Sequence, residues 1–539
     1  MKRVPWKTTI FALALAASFT VVVPQVKAES AADAPAIIQP EKPNGKKILF
    51  DNTHGQTAGA ADWVIDGGFS DFANALGSEG YYVTELRKTT PINLADINSY
   101  DVFVIPEANI PFKQSEQQTI ADYVANGGAV FYVADHYNAD RNKNRLDSGE
   151  IFNGYRRGAY EDITKGMSMD EKNSTAMTGV TSSDWLSETF GVRFRSNAID
   201  NIENAGNMII DHSLGILSNV RSVALHAGAT LAITDSKVAH GLVYLPDGLS
   251  SANKWSSAVD QGVYNGGGID EGPYIAISKR GAGKAAFLGD SSLIEDASPK
   301  YKNEETGGTK KTYDGYKEQD DATLLAQLMN WLGTDESYTN FEELGVPLSE
   351  ETPLLDFETP ENSTEPQQEP WAMPQVKYKW YDSSTFAGGS YGSMSMPKPT
   401  PQYTFSFDST LYEKRENRAV ITLDGLEPNT AIDALDFGIY TTIDQNGFNQ
   451  GAQVAQTKIG NQPWKQTLGY SDKFSVTTDA NGHATQEVFF KVGEKGTYNI
   501  RLRKNKNNVL TTSIHLEAEN TLLYTFSTGN TSPVGMRKN

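Results

Sequence analysis

The chain has 539 residues, 38% hydrophobic and 10% aromatic, which is enough for about three domains with ordinary packed cores. It carries 47 Lys and Arg against 67 Asp and Glu, a formal net charge of −20, and this argues against a broad basic footprint for nucleic acid. There is no cysteine, so disulfides, thiol nucleophiles and thiolate zinc sites are excluded.

The first 28 residues read as a secretory signal peptide. Lys2, Arg3 and Lys7 form a basic head, residues 8–23 are apolar, and Val26-Lys27-Ala28 fits a cleavage site. The alternative is a retained anchor, for which the apolar run is short. An exported, cysteine-free chain suits a Gram-positive secretor and an extracellular location. Residues 29–45, rich in Ala and Pro, read as a flexible leader.

Residues 46–334 alternate apolar strands with amphipathic helices. KKILFD, YYVTEL, DVFVIPEA and AVFYVADH read as strands, and so do ATLAITD, GLVYLPD, YIAISKR and KAAFLGD. DFANALGSEG, SEQQTIADYVANGG (with Ser115 as its cap) and DATLLAQLMNWLG read as helices. The expectation is an α/β domain with a mostly parallel sheet covered on both faces. Residues 335–375, rich in Glu, Pro and Thr, read as an extended acidic linker. Residues 376–527 alternate with period two, and Asp479-Ala480-Asn481-Gly482 is a hairpin signal. This predicts an antiparallel, immunoglobulin-like β-sandwich without the disulfide. Residues 528–539 form a tail without a sorting motif.

Ligands of open parallel sheets bind beyond the carboxyl ends of the strands. Four predicted strands end in carboxylates: Asp51 with His54, Glu107, Asp135 with His136, and Asp290 with Glu295 and Asp296 beyond it. On neighbouring parallel strands these groups converge on one rim, where their repulsion raises pKa values or demands a cation. A divalent ion would relieve that cost and activate a water. Asp and His suit Mg, Mn, Zn or Ca. Asp51 and Asp290 can equally be helix caps. Asp140, Asn142, Asn144, Asp147 and Glu150 resemble a calcium loop, departing from the EF-hand pattern at Arg145 and Ile151. The alternative is a solvated Asx-rich turn. Arg156 and Arg157, with Asn138 and Ser291, are candidates to orient a phosphate or carboxylate, although salt bridges would also occupy the arginines. His212, His226 and His240 read as core or surface residues, and Gly266-Gly267-Gly268 is a weak phosphate signal.

YDVFVIPEAN, YVANGGAVFYVADH and GKAAFLGDSSLIED together resemble the class I glutamine-amidotransferase-like, flavodoxin-like fold, in the branch of the gliding-motility transport auxiliaries. The resemblance spans residues 46–333. Where that family keeps its catalytic Cys this chain has Asp135-His136, so amidase chemistry is excluded. The functional expectation is a secreted, metal-dependent hydrolase of an extracellular polymer, foremost a phosphodiester in DNA or wall material. Asp51, His54, Asp135, His136 and Asp290 would hold the ion, with Glu107 or Glu295 as base or outer ligand. The alternative is a non-catalytic binding protein for a glycan, peptide or DNA.

Overall fold

The computed structural model describes residues 28–202, 207–368, 371–395, 401–407, 410–442 and 450–519. The expected signal peptide up to residue 27, the last residues of the expected sandwich and the expected tail lie outside them. The chain forms two compact units, Met1–Pro397 and Lys398–Asn539.

The first unit is built on β1 (Ile37–Ile38), β2 (Lys47–Asp51), β3 (Tyr82–Leu86), β4 (Val102–Pro106) and β5 (Ala129–Val133). A small pair follows, β6 (Val192–Phe194) with β8 (Leu231–Ile233), and the main sheet continues with β7 (Ile209–Ile210), β9 (Ala239–Tyr244), β10 (Pro273–Arg280) and β11 (Gly283–Leu288). The nine-stranded order is β1-β3-β2-β4-β5-β11-β10-β9-β7. Strands β3, β2, β4, β5 and β11 run parallel, and β1, β10, β9 and β7 join antiparallel.

This corrects the expected fold and the resemblance built on it. The chain is β-rich, 26% strand and 16% helix, with several sheets, and it is not a flavodoxin-like, amidotransferase-like α/β fold. Four of the seven described α-helices are of six residues or fewer: α2 (Leu94–Ile97), α4 (Ser148–Asn153), α5 (Met169–Lys172) and α6 (Trp185–Phe190). The longer ones are α1 (Ser70–Ser78), α3 (Gln114–Ala125) and α7 (Asp321–Gly333). The physical reason is that continuous apolar runs report burial on both faces and say nothing about strand direction. Ile48, Phe50, Val102 and Val104 face one core with Leu324 and Leu328, whereas Leu49, Phe103, Ile105 and Tyr132 face another with Ile120 and Trp185. Direction is set by the connections. Gly281-Ala282 closes a two-residue hairpin between β10 and β11, Arg280 opposite Gly283, with Gly281 at φ 61°.

Helix α3 is not capped by Ser115. It starts after Lys113, whose backbone N–H is taken by Glu116 Oε2 at 2.9 Å. Residues 335–368 and 371–395 pack within this unit: Phe341 is fully buried, Tyr378 and Trp380 join the second core, and Glu358 pairs with Arg195 at 2.6 Å.

The second unit holds β12 (Gln402–Phe407), β13 (Leu411–Tyr412), β14 (Asn417–Asp424), β15 (Ala431–Thr442), β16 (Gln450–Gln453) and β17 (Ala455–Ile459). It continues with β18 (Phe474–Thr477), β19 (Ala484–Val492), β20 (Gly496–Lys504) and β21 (Asn507–Glu517). One sheet runs β12-β14-β19-β17 and the other β13-β21-β20-β15-β16, with β18 on β15. Ile421, Val488 and Phe490 of one sheet share a core with Phe437, Ile439 and Leu502 of the other. It is not wholly antiparallel, since β13 pairs with β21 in parallel. The turn at Gly482 (φ 75°) sits so close to Leu426 that a Cβ would meet the Leu426 carbonyl oxygen at 2.1 Å.

Candidate functional site at the strand ends

In the order β2-β4-β5-β11, the carboxyl ends present Asp51, Glu107, Asp135 and Asp290 along one edge of the sheet. The residues do share a rim, but they divide into separate networks.

Asp51 and His54 form a closed one. Asp51 Oδ1 accepts from the Thr53 N–H (2.9 Å) and hydroxyl (2.6 Å), and Oδ2 lies 2.8 Å from His54 Nδ1 and accepts from Gln56 Nε2 at 3.1 Å. His54 Nε2 lies 3.5 Å from Glu116 Oε1, and the ring packs 4.0 Å from that of Phe112. Burial opposes charge on this ring, yet the flanking Asp51 and Glu116 outweigh it and push its pKa up to about 10. Glu116 is pushed down to about 2, His54 prevailing over the burial that would raise it. Both imidazole nitrogens are therefore occupied, and the expected ligand role of Asp51 and His54 is replaced by a buried ionic lock.

The second network is centred on Glu107. Its side chain is 1% exposed, and neither carboxyl oxygen meets a hydrogen-bond donor among the described residues. Arg141 Nε stands 3.6 Å from Oε1. Burial first, then the charge of Asp135, holds the Glu107 pKa well above the carboxylate range. Asp135 Oδ2 takes the Arg141 guanidinium, and its Oδ1 accepts from the His136 N–H at 2.6 Å. Arg141 lies 5.8 Å over the Trp63 ring and is 25% exposed. Trp63 Nε1 donates to Glu295 Oε1 at 2.7 Å, and Ser291 Oγ donates to the same oxygen at 2.8 Å. His136 is buried, with Nδ1 2.7 Å from the Tyr137 carbonyl and Nε2 4.0 Å from Asp135.

Asp290 takes the alternative role open to it: Oδ1 accepts from Ser292 N–H at 2.9 Å and caps the short turn Ser291–Leu293. Its Oδ2 accepts from His226 N–H at 2.6 Å, and burial together with Asp135 pushes its pKa up to about 7. Ser291 is buried on Glu295, and does not face outward as a substrate contact.

The oxygen-rich loop folds inward on backbone amides. Asp140 Oδ1 accepts from Asn144 and Arg145 N–H at 2.9 and 3.1 Å. Asp147 accepts from the N–H groups of Asn138 and Asp140. Asn142 and Asn144 both donate to the Asn109 carbonyl at 2.9 Å, and Glu150 accepts from Asp147 and Arg157 N–H at 3.0 and 2.8 Å. Asn138, Asp140, Lys143 and Arg145 all have positive φ, a density of unfavourable backbone that the surrounding bonds must hold. Burial, then Asp147, pushes Asp140 up to about 8. Among the described residues no group of three His, Asp or Glu side chains is placed to share one ion.

The arginines are elsewhere. Arg156 is fully buried and donates to the Ile163 carbonyl. Arg157 pairs with Asp260 at 2.8 Å beneath the Phe357 ring, the salt-bridge alternative. Asn138 serves as a positive-φ turn residue of the loop. The three glycines at 266–268 bend around the carboxylate of Glu271, which accepts from Tyr264, Asn265 and Gly267 N–H groups, so the nest is already filled. His226 Nε2 lies 2.6 Å from Glu318, His240 Nε2 2.9 Å from Asp211, and His212 Nδ1 3.0 Å from the Leu217 carbonyl.

Sequence reasoning missed Arg141, Trp63 and Glu116. Arg141 had a visible signal, being the first cation after Asp135 in an acidic stretch. Trp63 and Glu116 sit in segments whose patterns show only a loop and a helix.

No family model and no curated relative matches the chain. Among solved structures it is similar to one described as the mmIFT52 N-terminal domain, at 12% identity over 54% of this chain and 99% of that one, with a TM-score of 0.33. It is also similar to a putative lipoprotein from Bacillus anthracis (12% identity, 21% and 73% coverage, TM-score 0.15). A third is the CARDB domain of a Pyrococcus furiosus protein in complex with di-metal ions (8% identity, 23% and 97% coverage, TM-score 0.15). None of the three is described as an amidotransferase, and TM-scores this low fix neither fold nor function.

Proposed function

We propose that the first unit is a hydrolase of an extracellular polymer, with Glu107 as proton donor beside the Asp135–Arg141 pair. The observation that carries this reading is Glu107 itself: a buried carboxyl that meets no hydrogen-bond donor among the described residues, its pKa raised by burial and by Asp135. A carboxylic acid kept protonated next to a paired carboxylate is the division of labour that acid catalysis at a leaving oxygen needs. Arg141, the most accessible member of the group, supplies positive charge for an anionic bond such as a phosphodiester. Extracellular location is supported by the basic head and apolar run of the N-terminus. A divalent ion on Glu107 and Asp135 is the other way to relieve the repulsion.

The test is cleavage of plasmid DNA and of purified wall polymer by the full chain, with Glu107→Gln beside it. The wild type cleaves one of them, and the variant loses about 100-fold or more while staying folded. Retention of full activity by Glu107→Gln overturns the assignment. Loss on chelation, with recovery on adding Mn or Mg, makes Glu107 a ligand instead of an acid. The second reading, a binding protein, is favoured by the 1% exposure of Glu107; it wins if the chain binds these polymers and cleaves neither.

A further inference from the structure

We propose that the second unit carries a binding site for an anionic polysaccharide on the outer face of its four-stranded sheet, around Trp464. Strand β19 alternates, sending Val488, Phe490 and Val492 into the core and leaving Phe489 and Lys491 half-exposed on the other side. The register across β14, β19 and β17 sets Arg418, Phe489 and Lys458 in one row, with Lys491 opposite Gln456.

The loop after β17 returns over this row. It is held by Lys465, whose N–H donates to Thr457 and whose ammonium donates to the Tyr470 carbonyl, both at 2.9 Å. That places the Trp464 indole within cation–π reach of two ammonium groups. Lys491 Nζ is 4.3 Å from the ring centroid and Lys458 Nζ 5.1 Å, while Lys458 is also 4.2 Å from the Phe489 ring. Arg418 is paired with Glu487 at 2.6 Å and Lys458 with Glu416 at 3.4 Å. Lys491 has no carboxylate partner among the described residues. Leu468, on the same loop, is 60% exposed.

An indole face and a phenyl ring flanked by cations suit a sugar ring that carries a carboxylate or phosphate. The apolar side of the ring stacks and the charge meets Lys491. In a chain of net charge −20 this local excess of cations selects for an anionic ligand. Two lysines and one paired arginine are too few to track a nucleic-acid backbone, whose binding scales with the number of phosphates neutralised. The favoured polymer is therefore a polysaccharide.

The test is affinity electrophoresis of the full chain in gels containing polygalacturonate, neutral dextran or single-stranded DNA. The expected result is retardation by polygalacturonate alone, weakened by added salt. Trp464→Ala and Lys491→Gln each reduce the apparent affinity by about tenfold, and Trp464→Phe and Lys491→Arg restore most of it. Circular dichroism of the sandwich checks that the variants fold. The proposal is overturned by equal retardation in dextran, by retardation that the Trp464 and Lys491 variants do not change, or by none at low salt. Retardation by DNA with the same dependence on Trp464 and Lys491 makes the ligand class wrong. The readout is binding and not cleavage, so its outcome is independent of Glu107.

Discussion

At neutral pH the His54 ring carries a proton, because Asp51 and Glu116 stand against its two nitrogens in a buried site. Its pKa of about 10 in the fold lies above the value of about 6.5 for a free imidazole. The stabilisation is whole below about pH 6.5 and is lost as the pH rises through about 10. Denaturant midpoints followed from pH 6 to 10 should fall in the wild type. His54→Ala leaves two buried carboxylates uncompensated and should cost about 3–5 kcal/mol at pH 6. Glu107 is the opposite kind of residue. Its pKa is also raised, so its contribution is complete below about pH 4.3 and is lost as the pH climbs, because ionisation inside the fold is resisted. In Glu107→Gln that loss disappears, and the gap between variant and wild-type stability should move in the variant's favour from pH 5 to pH 8. Unchanged pH dependence in the variant would show that Glu107 is not the resisting group.

The loop from Asn138 to Asp147 is an element defined by its hydrogen bonds more than by its sequence. Asp147 closes it by accepting from two amides that no regular structure satisfies. Asp147→Ala should therefore destabilise the protein by about 2–3 kcal/mol and release the Asn138 and Asp140 amides to hydrogen exchange, while amides of β4 and β5 stay protected. Sequence spacing made the oxygens of this loop legible as an inward-turning set, but not what they turn toward. An oxygen facing a cation and one facing a backbone N–H come from the same Asx-rich pattern. The strand ends were better legible: each of the four carboxylates follows an apolar run, and parallel pairing of β2, β4, β5 and β11 brings them to one edge. At β11 the approach of α3 is closer than a side chain allows. A Cβ on Gly283 would meet the Val124 carbonyl oxygen at 1.9 Å, so Gly283→Ala should lower stability by about 1–3 kcal/mol, read as a shift in urea midpoint.

For the whole molecule, the segment after α7 matters most. Its acidic, Pro-rich composition describes a linker, yet Glu358 supplies the partner of Arg195, which is 1% exposed at the side chain, and Trp380 donates to Glu171 at 2.8 Å. Glu358→Gln should cost the first unit about 3–5 kcal/mol, whereas a true linker would tolerate it within experimental error in a thermal melt. Composition alone determined that the protein is acidic, free of disulfides and supplied with two kinds of apolar pattern, and strand identity followed because burial of alternate or consecutive residues is a local property. Strand direction, the packing of Phe341, Glu358, Tyr378 and Trp380, the closure of Asp51 on His54 and the isolation of Glu107 were decided only in the tertiary structure. Each depends on which groups distant in sequence come to share a low-dielectric space, and no local pattern records that.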